Sequence, residues 1–405
     1  MPMPRRLPAS LAFLAMTTTL LAQVVEAKPD AAPIAPTPTP LLALPRDAAP
    51  RDAATKTFPE AVPTIEAGLT WLLAHQSRDG RWDADEFLAD SKAPIETLGL
   101  GRPTNDVGLT GLVLFALARE GRAPDGDPRR QAIDRASAWL ADQQQKDGLL
   151  GTTTTQDYIY GHAIGTLGLS AAALATGADK HLDAAKRAVA RLEAHRNPFA
   201  VWRYQPRDGD CDSSVTTWAT LALLAANELG LAIDPAALRT VQVWFSAVTT
   251  PEGHAGYTKA GERSSRHAGD HLTKFPPEHG EAMTAAALLC RTSLGQAATD
   301  PVLTNSAKRL LDCVPDWKPD AGTIDTCYWF FASEALRNVG GAPRTTWSKA
   351  LVAALTKGQR VDGEFRGSWD PSDVWGHDGG RVYTTAMAVL ALQGLYGRAS
   401  PPAPK

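Results

Sequence analysis

The chain is short of cysteine, of net charge and of long apolar runs, and each shortage removes a class of protein. Four cysteines, Cys211, Cys290, Cys313 and Cys327, are too few to staple a chain of 405 residues, so the fold must rest on a hydrophobic core. A formal net charge of -3 leaves no basic footprint for nucleic acid or anionic lipid. After residue 27 no segment reaches the roughly 20 apolar residues that a membrane span needs, so no integral span is expected after processing. What is present is ordinary: 44% hydrophobic and 21% charged residues, enough to bury a large core.

The first residues read as an export signal over 1–27. Arg5 and Arg6 precede an apolar stretch from Leu7 to Ala22, and Val25-Glu26-Ala27 is a small-x-small cleavage pattern. Pro8 and the threonines at 17 to 19 make this stretch a poor membrane anchor, and the paired arginines hint at twin-arginine export. Residues 28–63, with "PIAPTPTP" at their heart, have the composition of a solvated tether. Residues 398–405 read as a tail. The mature protein is therefore expected outside the cytoplasm, periplasmic or extracellular.

Between tether and tail, over 64–397, the chain repeats itself. "WLLAHQSRDGRW" at 71–82 is echoed by "RASAWLADQQQKDGLL", with Trp139, Leu140, Gln144 and Gly148 at the offsets of Trp71, Leu72, Gln76 and Gly80. Trp244, Phe245 and Gly253 keep the frame with Thr249 in the glutamine's place; Leu355, Gln359 and Gly363 keep it with Ala354 in the tryptophan's place; Arg191, Leu192 and Arg196 are a degenerate copy. Each copy precedes a segment that is apolar or small nearly all round, such as "VGLTGLVLFALA" and "AMTAAALLC", as buried helices are. The first-type segments are amphipathic: Leu182, Ala185, Val189 and Leu192 share one face, opposite Lys186, Arg187 and Glu193. Glycine closes every buried segment, at Gly121, Gly177, Gly230, Gly295, Gly340 and Gly397, where a left-handed cap ends a helix. Six such pairs predict an all-α protein: an α/α-toroid, a double ring of twelve helices with the apolar ones inside. An open solenoid is the competing architecture, and it would leave the second helix type wetter.

The repeat resembles the QW motif of the squalene cyclase and protein prenyltransferase superfamily, and the likeness extends from Ile65 to Tyr396. It is similar in particular to exported bacterial members with a single toroid. The resemblance implies that the motif glutamine ties a helix end to the neighbouring turn while an aromatic packs over it, which makes the motif scaffold.

In such a ring the six inner helices start at one mouth, where Asp106, His162, Asp212, Glu281, Asp325 and Arg381 fall, with Tyr158, Tyr160, Trp218, Tyr328, Trp329 and Tyr383 close by. A carboxylate at a helix start is ordinarily an N-cap or a first-turn residue favoured by free N–H groups and the helix dipole, and that is the expectation for Asp106 and Asp325. "DGDCDSSVTTW" resembles the DxDD acid motif of proton-initiated cyclases, with Asp210 and Asp212 as candidate acids, but Ser213 stands where a carboxylate belongs. "DTCY", carrying Asp325, Cys327 and Tyr328, resembles two zinc ligands of the prenyltransferases; the third is missing, because Thr384 follows Tyr383 and His377 lies upstream. His254, His267, His271 and His279, four of the nine histidines, fall in one long connection. "HAGDH" there has the i, i+4 spacing of helical metal ligands, yet its Gly- and Ser-rich setting reads as a solvated loop over the mouth. No metal or cofactor is expected. Export makes a Cys313 to Cys327 bridge an expectation, whereas Cys290 reads as a core residue.

The function expected is that of an exported toroid whose central cavity binds, with conversion left open, a hydrophobic isoprenoid-like ligand against Trp218, Tyr328, Trp329 and Tyr383, with Asp325, Glu281 and His162 nearby. The alternative is a non-catalytic extracytoplasmic module for protein, glycan or lipid, in which the same aspartates are caps. Glycan processing is a third reading, for which no carboxylate pair can be placed at catalytic separation.

Overall fold

The computed structural model describes Leu41 and residues 56–396. The expected signal over 1–27, the expected tether apart from Leu41 and its last residues, Gly397 and the expected tail at 398–405 lie outside the described residues. No described helix is long and apolar enough to cross a membrane.

The long helices among the described residues alternate in character. One set comprises α1 (Ala61–Ala74), α3 (Pro128–Asp142), α5 (Asp179–His195), α7 (Pro235–Ala247), α9 (Pro301–Asp312) and α11 (Gly341–Gly358). The other comprises α2 (Asp106–Ala118), α4 (Tyr158–Thr176), α6 (Ser213–Glu228), α8 (Ala282–Ser293), α10 (Thr326–Val339) and α12 (Gly376–Gln393). Helix α1 begins inside the last residues of the expected tether. The second set packs in chain order, α2 on α4, α4 on α6 and onward to α12, and α12 returns to α2. That closure makes a ring and rules out the open stack. Every residue of α8, and every residue of α2 from Gly108 onward, is buried, as all-round apolar helices require. The first set lies outside, each helix against its inner neighbours; in α5, Ala185, Val189 and Leu192 are buried while Lys186 and Arg187 are exposed.

Local chemistry sets where these helices start and stop. Three outer helices open on Asp-Pro: the Asp127, Asp234 and Asp300 side chains accept from the backbone N–H groups of Arg129, Ala236 and Val302 at 2.8, 2.8 and 2.9 Å, and the proline occupies the first position, where no N–H is missed. Gly121, Gly177, Gly230, Gly295 and Gly340, at the inner helix ends, all have positive φ, the conformation a left-handed exit needs. Inside the ring α2 and α4 come so close that a Cβ on Gly111 would lie 2.5 Å from the Ile164 carbonyl oxygen.

The repeated glutamines are joints between neighbouring pairs. Gln76 Nε2 donates to Gly80 O at 2.8 Å in its own turn and to Ala132 O at 2.9 Å on the next outer helix. Gln144 does the same with Gly148 and Ala184, and Gln359 with Gly367 and Thr64, the last contact closing the outer ring from α11 to α1. Trp82, Trp202 and Trp369, all fully buried, donate from Nε1 to the carbonyls of Leu72, Leu192 and Leu355 at the ends of the preceding outer helices. Thr249, in the fourth copy, bonds back to Phe245 on its own helix and forms no such joint.

The far end of the ring, where inner helices terminate, is closed. Arg119 Nη1 meets Glu334 Oε1 at 2.7 Å, Arg337 meets Glu334 Oε2 at 2.5 Å, and Gln393 Nε2 donates to Ala116 O at 2.9 Å. Leu41, buried against the core, bonds through its backbone to Glu228 and Arg337.

Candidate functional site

With one end sealed, the open end holds a cavity of about 710 Å³. Its wall is built from the first turns of the inner helices and from the loops that precede them. Trp218 on α6 forms the apolar part with Phe331 on α10, ring centroids 5.2 Å apart, and is backed by Phe330, stacked at 5.8 Å. Tyrosines make the polar part: Tyr160 packs on Tyr204 with centroids 6.2 Å apart, and the Tyr204 and Tyr257 hydroxyls lie 2.7 Å from each other. Arg203 lies 5.4 and 5.7 Å from the centroids of these last two rings, placing a cation behind the wall. Tyr257 and the run from Ser264 to His267 come from the connection between α7 and α8, so the histidine-bearing loop contributes to the mouth.

Burial raises the pKa of several carboxyl groups at this end, Asp106, Asp212 and Asp373 among them. Asp106 lines the cavity and its pKa is pushed up to about 7, chiefly by burial; the nearby Asp83 charge adds to this, while the Ala84 N–H and Arg81 oppose it. Oδ1 accepts from Ala84 N at 2.9 Å and Oδ2 lies 3.2 Å from Arg81 Nε. Of the two places expected for it, Asp106 takes the first turn of α2 and not the cap: its oxygens are turned to the preceding loop, and no side chain caps α2. Asp325 does cap, accepting from Tyr328 N at 2.9 Å.

Asp212 is fully buried at the start of α6 and lies behind the wall. Its Oδ1 accepts from Val215 N at 2.8 Å, capping the helix, and the Tyr257 hydroxyl lies 3.4 Å from Oδ2. Burial raises its pKa to about 6 against the pull of Val215 N–H and Arg203. Its neighbour in the motif, Asp210, is 66% exposed and 3.6 Å from Arg203. Only Asp212 is thus linked to the cavity, through Tyr257.

The other anticipated residues divide. Trp218 and Tyr383 line the cavity. Tyr328 donates to Leu310 O at 3.1 Å and Trp329 packs edge-on against Trp317, both away from the lining. Glu281 is held by Arg309 at 2.5 Å, by Arg263 and by Thr284. His162 accepts the Leu150 N–H through Nδ1 at 3.1 Å, and burial drives its pKa down to about 3, so it stays neutral. Asp325, besides capping, lies 3.4 Å from Arg266. All four cysteines are free thiols. The expected bridge does not form because Cys327 faces the cavity beside Tyr383, whereas Cys313 ends α9 next to Glu281 and Asp312. Burial and the Asp325 and Asp373 carboxylates push the Cys327 thiol well up, opposite to what a thiolate ligand requires, and Asp325 is already committed to its helix and to Arg266. The residues resembling the prenyltransferase zinc set therefore do not fit a metal.

Asp106, Tyr204, Tyr257, Phe331 and Trp375 complete the wall. Phe331 was legible in "CYWFFASEAL" as an inner-helix residue one turn beyond Cys327. Tyr257 and Trp375 stand in loops, where no periodicity marks them.

A closed double ring of helices with an aromatic cavity at one mouth defines an α/α-toroid of the terpene-cyclase kind. The profile of the squalene-hopene cyclase C-terminal domain matches residues 49–255, just over half of the chain, and the chain belongs to that family. Among solved structures, the type II terpene cyclase MstE from Scytonema, a variant in complex with its substrate geranylgeranyl dihydroxybenzoate, is 17% identical, with 84% of this chain and 98% of that chain covered and a TM-score of 0.53. The same cyclase in its apo form is 18% identical, with 83% and 97% covered and a TM-score of 0.52. An alpha-amylase from Clostridium perfringens is 9% identical, with 82% and 98% covered and a TM-score of 0.53. At such identities these likenesses define the fold alone. No curated protein matches the chain.

Proposed function

We propose that the cavity binds an isoprenoid chain and that Asp106 is the acid that initiates its conversion. The observation that carries this reading is a carboxyl group on the cavity surface, with a pKa pushed to about 7, in a chamber walled by Trp218, Phe331, Tyr160 and Tyr383. The volume of about 710 Å³ falls in the range of about 300–1,000 Å³ usual for small-molecule sites. The proton would pass from the Asp106 carboxyl to a double bond or epoxide of the ligand, leaving a carboxylate that Arg81 and the Ala84 N–H stabilise. The resulting cation would lie against the ring faces of Trp218 and Phe331. Loss of a neighbouring proton to the carboxylate then regenerates the acid and leaves an isomerised product. The family and the geranylgeranyl substrate bound by MstE support an isoprenoid, and the aromatic lining supports a cationic path.

The test uses geranylgeraniol and a geranylgeranyl-substituted phenol as probes, with tryptophan quenching for binding and mass spectrometry for products. Trp218→Ala should weaken binding at least about tenfold, as expected for losing a large stacking surface. Asp106→Asn should bind and fail to convert. Absence of saturable binding in the wild type, or unchanged conversion in Asp106→Asn, overturns the reading. We also propose export, on the strength of the arginine pair, the apolar stretch and Val25-Glu26-Ala27; recovery from the producing cell of a mature chain starting at Lys28 checks it.

A further inference from the structure

A second constellation sits at the rim of the same cavity and takes no part in the chemistry above. His267 comes from the loop between α7 and α8, and His377 and Asp378 from the turn that opens α12. Sequence spacing pairs His267 with His271; the fold instead brings His267 to a residue pair more than a hundred positions away. Nε2 of His267 lies 3.0 Å, and Nε2 of His377 3.3 Å, from one and the same oxygen, Asp378 Oδ2. The three donor atoms fall within 4.8 Å of one another. The other carboxylate oxygen, Oδ1, lies 2.9 Å from Nε of the half-exposed Arg102.

We infer that His267, His377 and Asp378 hold a divalent cation of the zinc class. Ligands held at about 2.0–2.1 Å around a tetrahedral zinc lie about 3.3 Å apart, and the two nitrogen-to-oxygen separations here fit such an edge. Two imidazoles and one carboxylate are borderline donors of the kind zinc prefers, and three protein ligands leave a position free. Rings pack around the two imidazoles. His271 packs against both imidazoles, with centroids 5.1 and 4.9 Å away. Its Nε2 lies 2.7 Å from the Val374 carbonyl oxygen, while its Nδ1 is buried and without a hydrogen-bond partner. Trp375 closes the cluster from the side, 5.7 Å from the His267 ring. Since His267 and Asp378 are cavity-lining residues, the free coordination position would open toward the ligand chamber.

The experiment uses the full chain, free of any histidine tag and stripped with chelator, with Zn²⁺ as the calorimetric probe and Co²⁺ as the spectroscopic one. One equivalent of Zn²⁺ per chain is expected, together with the visible bands of tetrahedral Co²⁺ and an X-ray absorption shell of nitrogen and oxygen without sulfur. His267→Ala and His377→Ala should each weaken Zn²⁺ binding by more than about tenfold, as losses of metal-site contacts do, while Cys327→Ser binds like the wild type. Both histidines are nearly half exposed, so metal-free melting should match the wild type, and the absorption measurement on the wild type stands even if a variant misfolds. Failure to take up a stoichiometric cation, a sulfur shell, or binding retained in the double histidine variant overturns the assignment. No isoprenoid is present in these measurements, so their outcome is independent of the proposal for Asp106.

Discussion

Asp212 and Asp373 show how a side chain's meaning depends on what its oxygens touch. Asp212 caps α6 through Oδ1 and meets the Tyr257 hydroxyl through Oδ2. Asn keeps the capping oxygen whereas Ala removes it, so Asp212→Ala should lose about 1 kcal/mol or more of stability in denaturant unfolding while Asp212→Asn stays near the wild type. If Asp212→Asn leaves melting unchanged but abolishes isoprenoid conversion, Asp212 and not Asp106 is the operative acid. Asp373 is buried, bonded to Thr326 and to the Trp375 N–H, and its pKa is pushed to about 7, first by burial and then by the Asp325 charge. A folded-state pKa raised this far favours the protonated protein. The stability it contributes is complete below the unfolded carboxyl value of about 3.9 and is lost as pH rises through about 7. Melting temperature should therefore fall between about pH 4 and 7, and Asp373→Asn should flatten that fall; an unchanged slope refutes the assignment.

At the scale of the element, what the sequence disclosed and what it hid have separate physical causes. The inner helices were legible because burial on all sides leaves no polar face to keep. Their ends were legible because a left-handed exit selects glycine. The glutamine joints were legible where Gln76, Gln144 and Gln359 recur at one offset, and their partners, Ala132, Ala184 and Thr64, are carbonyls that no side-chain pattern can reveal. The site was less legible. Tyr328 and Trp329 follow Cys327 directly, yet successive helical positions point about 100° apart, and these two turn to Leu310 and Trp317 instead of the chamber. Asp106 looked like a cap because its partners, Arg81 and the Ala84 N–H, lie in the turn of the previous repeat. The joints themselves yield a prediction. Gln359→Ala removes one amide that serves two carbonyls and fastens α11 to α1, so unfolding free energy should drop by about 1–3 kcal/mol, the penalty for stranding buried polar groups. The replacement Thr249→Gln, in the copy that lacks the joint, touches no such contact and should leave stability within about 0.5 kcal/mol.

The whole molecule is a ring with unlike ends, and this asymmetry makes a chamber out of a toroid. At the mouth the inner helices start among tyrosines, aspartates and histidines, and the cavity stays open. At the other end Arg119, Glu334, Arg337 and the Gln393 amide fill the annulus, and Leu41 is buried beside them. Glu334 is the centre of that closure: both of its oxygens carry a guanidinium, and its side chain is wholly buried. Buried ion pairs add little net stability when complete, but removing one partner strands the other charge and costs about 3–5 kcal/mol. Glu334→Gln takes away the carboxylate that Arg119 and Arg337 share across α2 and α10, so it should lower unfolding free energy by about that amount. Because the two helices flank α12 in the ring, the loss should loosen the closed end while the wall around Trp218 keeps its form. Urea unfolding followed by tryptophan fluorescence gives the first quantity, and hydrogen exchange at the C-terminal turns of α2, α10 and α12 gives the second. Faster exchange confined to those turns is the expected pattern; a loss below about 1 kcal/mol, or exchange raised equally at the mouth, would mean that the ring is closed by its helix packing alone.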